Sequence, residues 1–232
     1  LTAPSTYIET LPSKNLRSHL LDALNTWLHL PPTPLAALKE LIRDLHNASL
    51  ILDDIQDNSA LRRGHAATHR VFGVAQCVNS ATFMIVDTVR KLSEVVQTAA
   101  AGEEAGLAAA ADKAQTTLLS SLKDLFTGQS WELKWKAENH CPSRAEYLGM
   151  VDGKTGALFV LIVRLMFCLY ALSSGKMGVE GVLMGKCEGF MMLLGRYYQV
   201  RDDYRNLVDG RYTAQKGFCE DLEEKEFSFP VV

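Results

Sequence analysis

The chain has 232 residues, of which 47% are hydrophobic, and a formal net charge of −3. This length can bury a full hydrophobic core, and the charge excludes a protein that a basic field recruits to nucleic acid or anionic lipid. Its five cysteines form no CxxC pair, so neither a disulfide framework nor a zinc site is indicated and we expect a cytoplasmic protein.

The placement of proline predicts an all-α fold. None of the seven prolines lies within 35–141 or 143–229, and these long stretches carry apolar residues at helical spacing. The first helix is predicted over about 13–29. A second helix is predicted to begin with Thr33 as its N-cap and Pro34 at the first helical position, which is the favoured chemistry for a helix start.

The rest of the chain also shows helical patterns. Further helices are predicted near 66–72, 75–100, 103–137, 143–152, 155–173 and 180–207. The alanine-rich stretch 99–114 combines high helix propensity with little bulk, so we expect it outside the core. The most apolar run, 157–172, contains Arg164 and is shorter than the ~20 residues of a membrane span, so we predict a buried core helix and no membrane span. The segment 208–226 is polar and predicted to be irregular.

Two acidic clusters lie far apart in the sequence. Asp53 and Asp57 are four positions apart in the second predicted helix, so their side chains share one face. Carboxylates held this close repel each other, and a hard divalent cation such as Mg²⁺ reverses that effect. A second pair, Asp202 and Asp203, lies in the last predicted helix. The two clusters predict opposite walls of one Mg²⁺ site.

The residues around these clusters predict the kind of substrate. One face of the first acidic helix runs from Ile42 through His46 and Ser49 to Asp53, which predicts a pocket with an apolar floor and a charged mouth. Cationic residues complement these two acidic walls: Lys14, Arg17, Arg62, Arg63, Lys154 and Lys216. Because a group held by Mg²⁺ on one side and by guanidinium groups on the other is most simply a diphosphate, we predict a diphosphate substrate.

Taken in order, these motifs resemble the geranylgeranyl diphosphate synthase family of trans-prenyltransferases, in its fungal and animal branch. The matching segments are LPSKNLR (11–17), HNASLILDDIQDNS (46–59), LRRG (61–64), GQ (128–129), KTG (154–156), QVRDDYRNL (199–207) and FSFP (227–230). That branch includes prenyltransferase domains fused to terpene cyclases, which the chain resembles equally well. The resemblance implies an isoprenoid-synthase-type helical bundle around a central apolar cavity, and a homodimer or larger homo-oligomer. We expect one prenyltransferase domain over 1–232 that lacks its C-terminal helices.

The resemblance also implies roles for the matching residues. In the catalytic motif that contains Asp53 and Asp54, Asp53 and Asp57 would bind Mg²⁺ together with Asp202 from the opposite wall. The residues implied to hold an allylic diphosphate are Arg62, Lys154, Thr155, Gln199 and Lys216. Those implied to bind isopentenyl diphosphate are Lys14, Arg17, His46 and Arg63. In the family, the metal ions help the allylic diphosphate to leave, the isopentenyl double bond attacks the resulting cation, and a proton is lost.

Small residues before Asp53 predict the length of the product. Ser49 and Ala48 lie one helical turn before it, and neither would block a growing prenyl tail. On a neighbouring helix, Ile85 and Val86 offer only a slight floor. By family analogy, we expect geranylgeranyl diphosphate as the main product and the next longer homologue as the runner-up.

Two residues depart from the family pattern, and other functions stay open. Glu226 stands where the family usually has a substrate-binding lysine, and Glu132 replaces the aspartate usual after Gly-Gln. A class I terpene cyclase shares the fold and the first acidic motif. A catalytically silent prenyltransferase-like subunit is the third hypothesis, to which Glu226 lends support.

Overall fold

The computed structural model describes residues 1–100, 107–174, 181–209 and 226–232. The helices in this part are α1 (Ala3–Thr10), α2 (Leu16–Leu28), α3 (Pro32–Gln56), α4 (Thr68–Phe72), α5 (Val74–Ala99), α6 (Leu107–Glu138), α7 (Arg144–Val151), α8 (Ala157–Ser174) and α9 (Gly181–Val208). A π-helical segment (Asp152–Gly156) joins α7 to α8, and a hairpin of β1 (Leu61–Arg62) and β2 (His65–Ala66) follows α3. The predicted all-α fold is confirmed.

Helix α8 forms the centre of the core. From Ala157 to Leu169 every residue except Arg164 is buried, as expected for a helix surrounded by others on all sides. The run Arg144–Ser174 is long and apolar enough to cross a membrane by length and composition, but 72% of its most apolar 18-residue window is buried inside the fold. The prediction of a buried core helix is confirmed.

The structure corrects three local predictions. Helix α1 was not predicted, and α3 begins at Pro32 with Pro31 as its N-cap, so Thr33 is not the cap. Proline is tolerated there because the first N–H groups of a helix have no intrahelical partner. The expectation that 99–114 lies outside the core is wrong at its described positions Ala99, Ala100, Ala110 and Ala114, all of which are buried.

The hairpin after α3 was also not predicted, and it places two arginines. Leu61 pairs with Ala66, and Arg62 pairs with His65. The two turn residues, Arg63 and Gly64, have φ of 56° and 82°. Two consecutive positive φ values are those of a type I′ turn, which matches the twist of the flanking strands. The turn directs the side chains of Arg62 and Arg63 to the functional site described below.

Close backbone contacts hold the π-helical segment in place. A Cβ atom at Gly195 of α9 would lie 2.8 Å from Gly156 Cα, and one at Gly128 of α6 would overlap the backbone of Lys154. The segment is therefore packed backbone to backbone between α6 and α9. π-Helical turns inside α-helices are frequent at functional sites. Here the turn carries Lys154 and Thr155.

Candidate active site

One cavity of about 690 Å³ lies among α2, α3, α6, α8 and α9. It has the size of a small-molecule site. The predicted site residues that line it are Lys14, Arg17, His46, Ser49, Asp53, Asp57, Arg62, Arg63, Ile85, Lys154, Thr155, Gln199 and Asp202. Apolar side chains cover another part of the same cavity: Leu16, Leu45, Leu122, Leu125, Phe126, Leu158 and Phe159. The cavity therefore offers a polar region and an apolar region to one ligand.

Three predicted site residues do not line this cavity, and a fourth lies outside the described residues. Ala48 is fully buried in a separate cluster with residues of α1 and α5, because it is turned away from Ser49 on the helix. Val86 is 63% exposed. Asp54 is fully buried against Arg62. The expectation that Ala48 and Val86 set the pocket depth is corrected, and Asp54 of the expected catalytic motif contacts Arg62 instead of lining the cavity. Lys216 is the fourth residue.

Lysines contact the carboxylates of the first acidic cluster. Asp53 Oδ1 lies 3.2 Å from Lys154 Nζ, which also contacts Glu132. Asp57 Oδ1 lies 2.5 Å from Lys136 Nζ. Among the described residues no three His, Cys, Asp or Glu side chains are grouped as a metal site. Asp53, Asp57 and Asp202 line one cavity, as predicted, but not as a closed cluster of ligands.

The acidic wall carries more negative charge than its lysines remove. Burial, with the nearby charges of Asp53 and Glu226, raises the pKa of Asp57 to about 6. Burial raises the pKa of Glu132 to about 8, although Lys154 opposes this shift. Carboxylate oxygens are the donors that Mg²⁺ prefers, and a divalent cation would relieve this repulsion. The chemistry of the wall therefore fits Mg²⁺.

A second wall of the cavity is positive. Burial and the charge of Arg63 lower the pKa of Arg17 to about 10. Burial and the charges of Arg17, Arg63 and Arg62 lower the pKa of His46 well below its usual value, so its imidazole is neutral. Arg17 also stacks over Phe159, with 5.7 Å between the guanidinium carbon and the ring centroid. A positive wall of this kind favours an anionic ligand.

Two buried donors that line the cavity lack partners. Within the described part of the chain, Arg17 Nε and Gln129 Nε2 have no hydrogen-bond partner. A buried donor left unsatisfied costs about 1–3 kcal/mol. Both atoms can only donate, so they fit a ligand that is rich in acceptor oxygens.

A chain of hydrogen bonds links Thr155 and Gln199 in the lining of the cavity to α7 and to the segment 226–232. Thr155 Oγ1 donates to Gln199 Oε1 at 2.8 Å, and Gln199 Nε2 donates to Asp203 Oδ1 at 2.9 Å. Asp203 Oδ2 accepts from the hydroxyl of Tyr147 and, at 2.7 Å, from the backbone N–H of Phe229. The two acidic residues of α9 therefore differ: the Asp202 side chain is 45% exposed, whereas Asp203 is buried.

Two residues of this site were missed from the sequence. Lys136 joins Asp57 to Glu226, whose Oε1 lies 3.1 Å from its Nζ. Its helical spacing from Gln129 and Glu132, at i+7 and i+4, would have placed it on their face. Tyr147 is contributed by α7 and meets Asp203 only through the tertiary fold, so no local pattern predicts its role.

Comparison with known proteins places the whole chain in one family. The polyprenyl synthetase family model matches residues 1–232. Fusoxypene synthase of Fusarium oxysporum is 51% identical over 232 residues, which is 100% of this chain and 29% of that protein. Sesterfisherol synthase of Neosartorya fischeri is 46% identical over 100% of this chain and 27% of its own length. Geranylgeranyl pyrophosphate synthase 2 of Gibberella fujikuroi is 44% identical over 99% of this chain and 54% of its own length.

Proposed function

The chain belongs to the polyprenyl synthetase family, and we propose that it is a trans-prenyltransferase that condenses isopentenyl diphosphate with an allylic diphosphate. The observation that carries the proposal is the pair of orphaned donors, Arg17 Nε and Gln129 Nε2, in a cavity with one positive and one negative wall. A diphosphate supplies the acceptor oxygens that these donors lack, and its prenyl tail suits the apolar lining.

Each of the two walls would bind one of the two substrates. Arg17, Arg63, His46 and Lys14 form the wall for isopentenyl diphosphate, where neutral His46 can still donate one N–H group. Asp53, Asp57 and Asp202 would hold Mg²⁺, with Lys154 beside them, and Arg62 and Lys216 are proposed contacts of the allylic diphosphate. When bound, Mg²⁺ would neutralise charge on the departing diphosphate.

The reaction follows from this arrangement. The bond between the allylic carbon and the diphosphate oxygen breaks, and its electron pair leaves with the diphosphate. The double bond of isopentenyl diphosphate supplies the pair for the new carbon–carbon bond, and a proton is then lost to the released diphosphate. Thr155 and Gln199 line the cavity, and the lone pairs of their oxygens would stabilise positive charge without forming a covalent bond.

The proposed product is geranylgeranyl diphosphate. Ser49 and Ile85 line the cavity and are small or moderate in size. The test is to incubate the full-length protein with Mg²⁺, labelled isopentenyl diphosphate and dimethylallyl, geranyl or farnesyl diphosphate, and to identify the products. A linear twenty-carbon diphosphate is expected. A cyclic hydrocarbon formed from these allylic diphosphates with no consumption of isopentenyl diphosphate would indicate a terpene cyclase, and no turnover with any substrate would indicate a silent subunit.

A matched pair of variants tests whether the two walls bind different substrates. Arg17→Gln removes a positive charge from the proposed isopentenyl diphosphate wall and should raise KM for that substrate at least tenfold, with a smaller change in KM for the allylic substrate. Arg90→Gln, on the exposed surface of α5, is the control and should change neither constant. Equal effects of Arg17→Gln on both KM values would argue against separate walls.

The proposed assembly is a cytoplasmic homodimer or larger homo-oligomer. Helix α5 exposes the apolar side chains of Val78, Phe83 and Val86, of which Val86 is 63% exposed. A two-fold contact along this helix would cover them. Light scattering at micromolar concentration should give at least twice the protomer mass. A stable monomer would contradict this part of the proposal.

The chain spans less than a third of the length of the terpene synthases it matches and about half of the geranylgeranyl pyrophosphate synthase. The name of a further relative, the bifunctional terpene synthase FUP1 of Fusarium proliferatum, which is 43% identical over 100% of this chain and 28% of its own length, supports a role as the prenyltransferase part of a bifunctional protein. In that case the full-length protein should convert the linear diphosphate further into a hydrocarbon. The Asp53→Asn variant should still form that hydrocarbon when supplied with the linear diphosphate, because its lesion is confined to chain elongation.

A further inference from the structure

Asp203 accepts three hydrogen bonds from three different elements of the fold. Its donors are Gln199 on α9, the Tyr147 hydroxyl on α7, and the backbone N–H of Phe229 in the segment 226–232. Asp203 as a whole residue is 4% exposed, whereas the neighbouring Asp202 side chain is 45% exposed. Asp203 therefore already has donors on both of its oxygens, and Asp202 remains accessible from the cavity.

These contacts fix the direction of the Gln199 amide. An ionised carboxylate can only accept hydrogen bonds, so the atom that Gln199 presents to Asp203 must be its NH₂ group. The amide oxygen must then point to Thr155, whose hydroxyl donates to it at 2.8 Å. Because that donation uses the hydroxyl hydrogen, the Thr155 oxygen offers lone pairs rather than a proton to the cavity. The polarity of this wall is thus set by Asp203, which lies at the edge of the cavity and is 4% exposed.

The same carboxylate anchors the segment 226–232. Phe229 donates its N–H to Asp203, and its ring lies 5.7 Å from the Tyr147 ring. Tyr147, Trp135, Met150 and Val151 form a buried cluster against which Phe227 and Phe229 pack. Glu226 begins the segment and contacts Lys136. The segment is therefore held at two points, next to the acidic wall and behind Gln199.

We propose that Asp203 is a positioning residue that orients Gln199 and Thr155 as acceptors toward the cavity and docks the segment 226–232, and that it does not act as a metal ligand. The first part rests on the proposed prenyltransferase function, whereas the docking part does not. Asp202, one position earlier, is the residue of this pair that would face Mg²⁺.

The Asp203→Asn variant tests the orientation. Asparagine has the shape of aspartate, but its single side-chain oxygen can accept hydrogen bonds on one side only. If that oxygen accepts from Tyr147 and Phe229, its NH₂ group faces Gln199 and turns the Gln199 amide around. The kcat at saturating Mg²⁺ should fall at least tenfold, while KM for both substrates and the Mg²⁺ concentration at half-maximal rate change less than threefold. Asp202→Asn is the matched control and should instead raise that Mg²⁺ concentration at least tenfold.

A second-site change should rescue the variant. In Asp203→Asn/Gln199→Glu, the Asn NH₂ group can donate to the carboxylate at 199, which again accepts from Thr155. This double variant should recover at least threefold in kcat over Asp203→Asn. No recovery, or a rise in the Mg²⁺ requirement of Asp203→Asn equal to that of Asp202→Asn, would overturn the positioning role.

Hydrogen exchange tests the docking without any turnover. The Phe229 amide should exchange at least tenfold faster in Asp203→Ala than in the wild type, because its acceptor is lost. Tyr147→Phe removes one of the three donors, keeps that acceptor and should leave the Phe229 amide protected. Unchanged Phe229 exchange in a folded Asp203→Ala variant would overturn the docking role. If the wild-type protein has no turnover, the proposed function fails while this measurement still decides the docking.

Discussion

Arg62 donates from Nε to Asp54 Oδ1 at 2.7 Å, and the Asp54 carboxylate is fully buried in this contact. The same guanidinium reaches Asp53 Oδ2 at 3.3 Å. Adjacent residues of an α-helix point about 100° apart, so these two neighbouring aspartates have different surroundings. Asp53 faces it, and Asp54 fixes the arginine beside it.

Because Asp54 is buried against Arg62 and Asp53 faces the cavity, substituting each of them should change stability by a different amount. Asp54→Asn should lower the free energy of unfolding by about 3 kcal/mol, because it removes one partner of a buried ion pair. Asp53→Asn should change it by less than about 1 kcal/mol, because it also removes repulsion from Asp57. Asp53→Asn should nevertheless lower turnover strongly, although it changes the free energy of unfolding little. Urea unfolding and steady-state rates on both variants check this, and equal losses of stability would contradict it.

The parts of the site that depend on residues close in the sequence could be predicted, whereas contacts between distant residues could not. The i, i+4 spacing of Asp53 and Asp57 is a local property of one helix, and it predicted their shared face. The type I′ turn at Arg63 was missed because arginine seldom adopts positive φ, and only the following glycine hinted at it. The contact between Tyr147 and Asp203 joins residues 56 positions apart, so it exists only once α7 and α9 have packed.

The prediction of pocket depth was limited in the same way, although it concerned two adjacent residues of one helix. Ala48 and Ser49 are both small, and from sequence either could face the tail. The register of α3 against α5 buries Ala48 among Ile51, Cys77 and Ala81, and leaves Ser49 on the cavity. Helix periodicity gives the angle between neighbours, but the packing partner decides which of them meets the substrate.

Ser49→Phe should shorten the product. A phenyl ring at this position enters the cavity and takes up space of roughly one isoprene unit, so farnesyl diphosphate should replace geranylgeranyl diphosphate as the main product. Val182→Phe is the control, because Val182 is 77% exposed and does not line the cavity. Chromatography of the products checks both variants. An unchanged product from a folded and active Ser49→Phe variant would mean that the tail extends in another direction.

Gly195→Ala should destabilise the protein and displace Thr155. Its Cβ would lie 2.8 Å from Gly156 Cα, so α9 and the π-helical segment must move apart. Overpacking of this kind costs about 1–3 kcal/mol, and turnover should fall as well because Gln199 and Thr155 would separate. Gly149→Ala is the control: its Cβ would meet no atom within 4 Å, and alanine favours the helix by up to about 1 kcal/mol. The midpoint temperature of thermal unfolding should therefore fall in Gly195→Ala and rise in Gly149→Ala.

Glu132 should make the fold less stable as pH rises. Burial raises its pKa from 4.5 to about 8, so between these values the folded protein keeps a proton that the unfolded chain has lost. Raising the pH then favours the unfolded chain, and the free energy of unfolding should fall by about 1.4 kcal/mol for each pH unit. Below pH 4.5 the effect is absent, and above about 8 it is complete.

Glu132→Gln isolates this effect, because glutamine resembles the protonated acid at every pH. In urea unfolding without Mg²⁺, the variant should match the wild type near pH 4.5 and become the more stable of the two by pH 8. Glu138→Gln, whose side chain is exposed on the same helix, should leave the pH profile of the wild type unchanged. If the wild type instead gains stability over the variant as pH rises, Glu132 is ionised in the fold and its contact with Lys154 outweighs its burial.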